Sequence, residues 1–198
     1  MEKVVETFCP TSRQHWREWL QAHHATAQSV WLVYYKKQAN KPSLTWSEAV
    51  DEALCFGWID SRAQPLDEER YQQFFSRRKP SSTWSRVNKA KVAHLQAAGL
   101  LAPAGLASIE RAQQNGSWTI LDDVEELRVP ADLAQALAAN PKAAAYFASL
   151  GRTAVRNLLQ WLVLARRPET RQNRITELVT LAAQRQLPKQ FRRPAKEA

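Results

Sequence analysis

The chain has 198 residues, 44% of them hydrophobic and 24% charged, with a formal net charge of +9 and two cysteines. That length suits one domain with an appendage or two small ones, and the composition excludes a disordered chain and a disulfide-built scaffold. No run approaches the roughly 20 apolar residues of a membrane helix. The opening residues MEKVVETFCPTSRQHW lack the apolar segment of a secretory signal, so the cytoplasm is the expected compartment.

Val4–Phe8 reads as a short strand, and Thr11 or Ser12 as the cap of a helix with Trp16, Trp19, Leu20 and His23 on one face. Cys9, His15, His23 and His24 match no metal-ligand spacing, so no metal is expected. Ser29–Lys37 is almost continuously apolar and then basic, as in a buried central strand that ends at the surface. Thr45 and Glu48 form a capping box. The helix it opens is expected to turn Trp46, Val50, Ala53 and Leu54 inward and Glu48, Asp51, Glu52 and Cys55 outward, and to stop at Gly57. Carboxylates and a helix C-terminus oppose a thiolate at Cys55, which reads as a half-buried structural residue.

After Gly57 the period becomes two. Trp58, Asp60 and Arg62 are expected on one side of a strand, Ile59, Ser61 and Ala63 on the other. Pro65–Glu69 is the turn, and Arg70–Arg77 returns as an aromatic-rich strand whose register the sequence leaves open. Trp84 opens the next helix, with Val87, Val92, Leu95 and Ala98 in one stripe and Asn88 inside it. A carboxylate, arginines and indoles so close together could orient a small polar ligand. The candidate ligand-binding residues are therefore Trp58, Asp60, Arg62, Tyr71, Arg77, Trp84 and Asn88.

Gly99 ends that helix, and Pro103 starts another with Leu106 and Ile109 inward. Residues 119–129 carry Asp122, Asp123, Glu125 and Glu126 without a helical stripe and read as a solvated linker. Beyond Pro130 only helices are expected. One passes through Leu133 and Leu137. Asn140-Pro141 begins the next, with Phe147 and Leu150 inward. Val155, Leu158, Leu159 and Leu162 mark a third, and Ile175, Leu178, Val179 and Ala182 a fourth. Residues 152–198 hold 11 Lys and Arg against 3 Asp and Glu. Arg167, Arg171 and Arg174 form a basic patch there, either bracing Glu169, Glu177 or the acidic linker, or contacting phosphates. No phosphate loop, dinucleotide fingerprint or nucleophile elbow occurs, so no cofactor and no catalytic residue is expected.

The expected fold class is α+β. Residues 1–118 form a small antiparallel sheet covered by helices, 119–129 an acidic linker, 130–187 a helical C-terminal domain and 188–198 a frayed tail. The blocks EALCFGWID, LDEERY, FFSRR and S-x-WS-x-x-N, with WLVYYKK upstream and ARRPETRQNRI at 165–175, resemble the OmpD-associated, or bacteriocin-protection, family of bacterial proteins. Ser61 and Ser76 stand where that family tends to have Gly and Pro. The resemblance implies a stress or bacteriocin-protection role; with no catalytic spacing in the chain, that role is expected to be non-enzymatic and exercised by binding an unidentified protein or small polar ligand at the hairpin surface. The alternatives are a nucleic-acid binder using the basic C-terminal helices and a small-ligand enzyme using the polar–aromatic cluster.

Overall fold

The computed structural model describes residues 5–192. Val4 of the expected first strand and the last six residues of the expected tail lie outside the described residues. The chain divides between Thr119 and Ile120 into two units, each with its own apolar core.

In the first unit, strands β1 (Thr7–Phe8), β2 (Ser29–Tyr35), β3 (Trp58–Pro65) and β4 (Arg70–Arg77) form one sheet in the order β1-β2-β4-β3. The chain is α+β as expected, with one exception to the antiparallel pattern: β1 runs parallel to β2. The helices are α1 (Arg13–His23), α2 (Trp46–Cys55), α3 (Arg86–Ala97) and α4 (Pro103–Gln114). The sequence signals act locally as read. Ser12 caps α1 through the His15 amide, and Thr45 and Glu48 close their capping box on α2. Gly57 takes a positive φ of 72° directly after α2.

One face of the sheet, bearing Val30, Leu32, Tyr34, Phe75 and Trp58, joins Trp16, Trp19, Leu20, Val50 and Leu54 in the core. The indoles in it are positioned by polar tethers as well as by packing. Trp16 stacks on Trp19 at 5.2 Å and donates its indole N–H to the Ala49 carbonyl at 3.1 Å. Trp58 meets Trp19 edge-on at 5.8 Å and reaches the His24 carbonyl. Such tethers satisfy the one polar atom that a buried indole brings with it.

Three helix faces differ from the expected ones. Trp46 is 46% exposed rather than buried, while Glu52 is 2% exposed rather than solvated. Glu52 is drawn in because α1 supplies two cations, Arg13 and Arg17, to its two oxygens. Arg17 also donates to the Leu100 carbonyl at 2.9 Å. Cys55, on the same side as Glu52, is fully buried rather than half-buried. In α3 the stripe narrows to Val92 and Leu95, and Val87 is exposed. In α4, Leu106 points outward and the inward residues are Gly105, Ile109 and Ala112. The reason is a backbone approach: a Cβ on Gly105 would stand 2.3 Å from the Cys55 carbonyl oxygen. Only glycine lets α4 lie this close to the end of α2.

The second unit holds α5 (Asp122–Glu125), α6 (Ala131–Ala138), α7 (Pro141–Ala148), α8 (Arg152–Val163) and α9 (Pro168–Ala183), with no strand among its described residues. Asn140 caps α7 through the Ala143 amide, with Pro141 in the first turn. The stretch expected as a solvated linker is part of the fold. Leu121 and Val124 are buried in the second core, and Arg152 and Arg156 hold Glu125. The tail is likewise seated as far as it is described: Pro188 is buried, and Phe191 meets Trp161 edge-on at 5.7 Å. No helix among the described residues is long and apolar enough to cross a membrane.

The Gly105 contact yields a direct test. Gly105→Ala forces a methyl group against backbone, and we expect it to destabilise the first unit by about 1–3 kcal/mol in denaturant unfolding. An unchanged unfolding midpoint would show that α4 can shift outward without loss.

Candidate functional site

The expected site residues do not converge on one surface, because β3 is interrupted. Asp60 pairs with Phe75 and Ala63 with Gln73, so Ser61 and Arg62 together face the single residue Phe74. This bulge shifts the alternation by one residue. Trp58 and Asp60 stay on the helix-covered face. Arg62 goes to the opposite face, where its guanidinium lies 5.1 Å from the Trp31 ring and 5.7 Å from the Phe74 ring. The expectation that Trp58, Asp60 and Arg62 share a side is therefore corrected for Arg62. Trp58 is completely buried, a core residue. Arg77 is anchored through Nε to the Ala27 carbonyl at 2.8 Å, with its Nη2 buried and unpartnered. Asn88 is half-buried in the first turn of α3, its amide N–H held by the Ser85 cap.

Three of the expected residues do belong to one polar cluster on the helix-covered side: Asp60, Tyr71 and Trp84. The structure adds four that the sequence reading had not selected, namely Tyr34, Trp46, Gln73 and Arg78. Asp60 Oδ2 accepts from the Trp46 indole at 2.9 Å and from Gln73 Nε2 at 3.0 Å. Gln73 is itself buried and also donates to the Ser61 carbonyl at 2.9 Å. Tyr34 stacks on Tyr71 at 4.9 Å with the rings 9° from parallel, and its hydroxyl is buried without a partner. Burial raises both phenols, and the Asp60 charge reinforces this at Tyr34, so Tyr34 is a neutral O–H donor.

Arg78 is the most unusual member. It leaves β4 with its amide N–H on the Gly57 carbonyl at 2.9 Å, and the residue is only 8% exposed. Its guanidinium stacks 3.6 Å above the Trp84 ring, and Trp84 in turn packs on Trp118 at 4.9 Å. Nη1 donates to the Thr83 carbonyl at 3.0 Å, whereas Nε and Nη2 are buried with no partner. Burial pulls this guanidinium down to about 10, and the Asp60 charge offsets part of the effect. At neutral pH it is still a cation. Leaving two donors of a buried cation unpaired is costly. The signal for Arg78 was present in the Arg77-Arg78 doublet. Which member is stacked on an indole depends on the geometry of the strand's end.

His15, His23 and His24 each contact a neighbouring residue. His15 meets Phe8 edge-on at 4.9 Å, His23 packs against Trp19, and a ring nitrogen of His24 contacts the Leu20 carbonyl. Burial, with Glu52 alongside, raises the Cys55 thiol, which opposes nucleophilic chemistry there. A hollow of about 480 Å3 at the hairpin turn is ringed by the Lys41–Glu69 and Arg70–Asp67 ion pairs. Another of about 820 Å3 lies in the second unit beside Tyr146, Asn157 and Phe191. Neither is lined by any of the expected site residues.

The basic patch is largely internal bracing. Arg171 clasps Asp132 of α6 with two nitrogens, at 2.6 and 3.0 Å, and donates to the Leu162 carbonyl. Arg174 donates to the Trp161 carbonyl and lies 5.0 Å over its ring. Arg167 is exposed at the start of α9. The acid that is braced is Asp132, not the Glu169, Glu177 or linker carboxylates expected.

Two family models match the chain. One, described as a domain of unknown function (DUF8412), covers residues 8–108. The other, described as bacteriocin-protection, YdeI or OmpD-associated, covers residues 126–185. The resemblance to the bacteriocin-protection family thus holds over the C-terminal part, while the GWID block falls within the first match. Searches of curated proteins and of solved structures find no match.

The Asp132 clasp makes a pH prediction. The Arg171 hydrogen bonds hold the Asp132 carboxyl below its usual range. A lowered folded-state value means stability that is present above the unfolded value and lost as pH falls through the folded one. Asp132→Asn should therefore melt earlier than the parent at neutral pH, with the gap closing in acid. A gap in Tm that stays constant with pH would assign the effect to shape rather than charge.

Proposed function

We propose a function on the premise that the chain belongs to the DUF8412 family and carries a bacteriocin-protection (OmdA-type) segment after that domain. In this reading it is a non-enzymatic protection protein that works by binding a polar ligand or partner at the Asp60–Arg78–Trp84 cluster of its first unit. The observation that carries the reading is the Arg78 guanidinium, fixed on an indole with two donor nitrogens unused. A structural arginine is expected to spend its donors on the protein, as Arg171 does on Asp132 and the Leu162 carbonyl. Around Arg78, Asp60 is held by Trp46 and Gln73, and Tyr34 presents a neutral hydroxyl, an arrangement suited to holding a molecule in place. The reading takes the cytoplasm as the working compartment, supported by Cys9 and Cys55 standing as free thiols.

The nucleic-acid alternative has weaker support, because Arg171 and Arg174 spend donors on Asp132, Leu162 and Trp161. Phosphate-contacting ridges keep such donors outward.

Bacteriocin survival of a sensitive strain expressing the chain tests the proposal. Arg78→Met and Gln73→Leu, each confirmed folded by circular dichroism, should abolish protection. Arg62→Ala, on the other face of the sheet, should leave it intact. Protection that needs Arg62 and not Arg78 would overturn the assignment of the site.

A further inference from the structure

The chemistry of the ligand is written in which nitrogens of Arg78 are free. A guanidinium can offer two parallel N–H bonds along an edge, and one such edge is formed by Nε and the Nη on its side. In Arg78 the Nη1 atom is committed to Thr83, and the pair left over, Nε and Nη2, makes up that edge. Two parallel donors match the two oxygens of a carboxylate, the geometry in which arginine recognition is strongest. The ring of Trp84 covers one flat side of the group at 3.6 Å, so the edge is the direction left for recognition.

The nearest internal partner is restrained from filling this role. Asp60 is close enough for its charge to act on Arg78, yet the two form no ion pair, and Asp60 Oδ2 is tied to the Trp46 indole and the Gln73 amide. Burial beside a single cation also sets the charge of the ligand. Moving an ion out of water costs roughly as the square of its charge, whereas attraction to the single Arg78 cation grows only in proportion to it, so a buried edge favours a monoanion over a dianion. Nε and Nη2 are themselves buried, so a ligand meets the edge only by entering the cluster, which limits it to a small group.

Resting on the binding reading above, we propose that the Nε–Nη2 edge of Arg78 is a receptor for the carboxylate of a small monoanionic ligand. The carboxylate docks side-on to the guanidinium, in its plane, with Trp84 as the floor. The burial of the edge selects against doubly charged anions.

Arginine Nε–H resonances of the 15N-labelled protein provide the test, with sodium acetate, sodium phosphate and sodium chloride as probes at constant ionic strength. Acetate should move one Nε–H signal downfield in a saturable way, and phosphate and chloride should not. That signal should be absent from Arg78→Lys, and acetate affinity read from tryptophan fluorescence should fall roughly tenfold or more there, since lysine keeps the charge and loses the fork. Should the variant fail to fold, the signal is assigned in the parent protein from its contact with the Trp84 ring. No saturable acetate response, or an equal response to chloride, overturns the carboxylate receptor. A response to phosphate alone overturns its monoanion selectivity. Loss of protection in Arg78→Met with no acetate response removes the ligand class and leaves the protective site standing. An acetate response with protection intact removes the protective role and leaves the receptor.

Discussion

Side chains on a strand alternate between faces only while every residue has one partner across the ladder. Between Asp60 and Ala63 two residues, Ser61 and Arg62, share the single partner Phe74. From there outward the alternation of β3 is reversed relative to its first half. Asp60 consequently stays under α2, within reach of Trp46 and Gln73, and Arg62 emerges against Trp31 and Phe74. Had β3 run without the bulge, Asp60 and Arg62 would have shared the inner face. The carboxylate would then have had a ready ion-pair partner, and the polar cluster would have been closed by its own residues.

The first unit handles buried charge in two different ways. At the junction of α1 and α2, Arg13 and Arg17 neutralise Glu52, and both oxygens of the buried carboxylate are used. Every group there has a partner, which is what makes a buried ion cluster tolerable. Arg78 is buried on Trp84 with one backbone carbonyl and nothing for its remaining edge. In the second unit Arg174 also lies on an indole, that of Trp161, and donates to a carbonyl, but none of its nitrogens is both buried and unpartnered. Stacking on tryptophan is therefore a general way for this chain to hold arginine. The idle buried edge is particular to Arg78 among the described residues stacked this way.

The division of the chain matches the division of its family matches. The domain with the polar cluster is covered by a family of unknown function, and the helical unit carries the match to the bacteriocin-protection family. The basic character of residues 152–198 is in part consumed within the fold, through the Arg171–Asp132 and Arg156–Glu125 pairs. Net charge counted along a sequence overstates the field that a partner meets, because it cannot tell which charges are already paired.

By itself the sequence determined those features that depend on residues a few positions apart. The capping box at Thr45, the left-handed Gly57, the Asn140-Pro141 helix start and the apolar runs of α6 to α9 are all local, and each element stands where it was read. The hairpin stands as well, because alternation and turn residues are local too, though Pro65 still pairs with Tyr71 in β3 and the turn begins at Leu66. Tertiary structure decided what distant segments do to one another. Glu52 and Cys55 were read as outward because their own helix gave no reason to bury them; α1 supplies the cations, and α4 reaches the end of α2 through Gly105. Trp46 was read as inward from its spacing, yet it spends its indole N–H on Asp60 at the surface of the cluster. Above all, the stacking of Arg78 on Trp84 and the separation of Arg62 from Asp60 follow from a ladder register and a strand's last turn. Those are set by pairing energy summed over β2, β3 and β4 together, and no short window of sequence contains that sum.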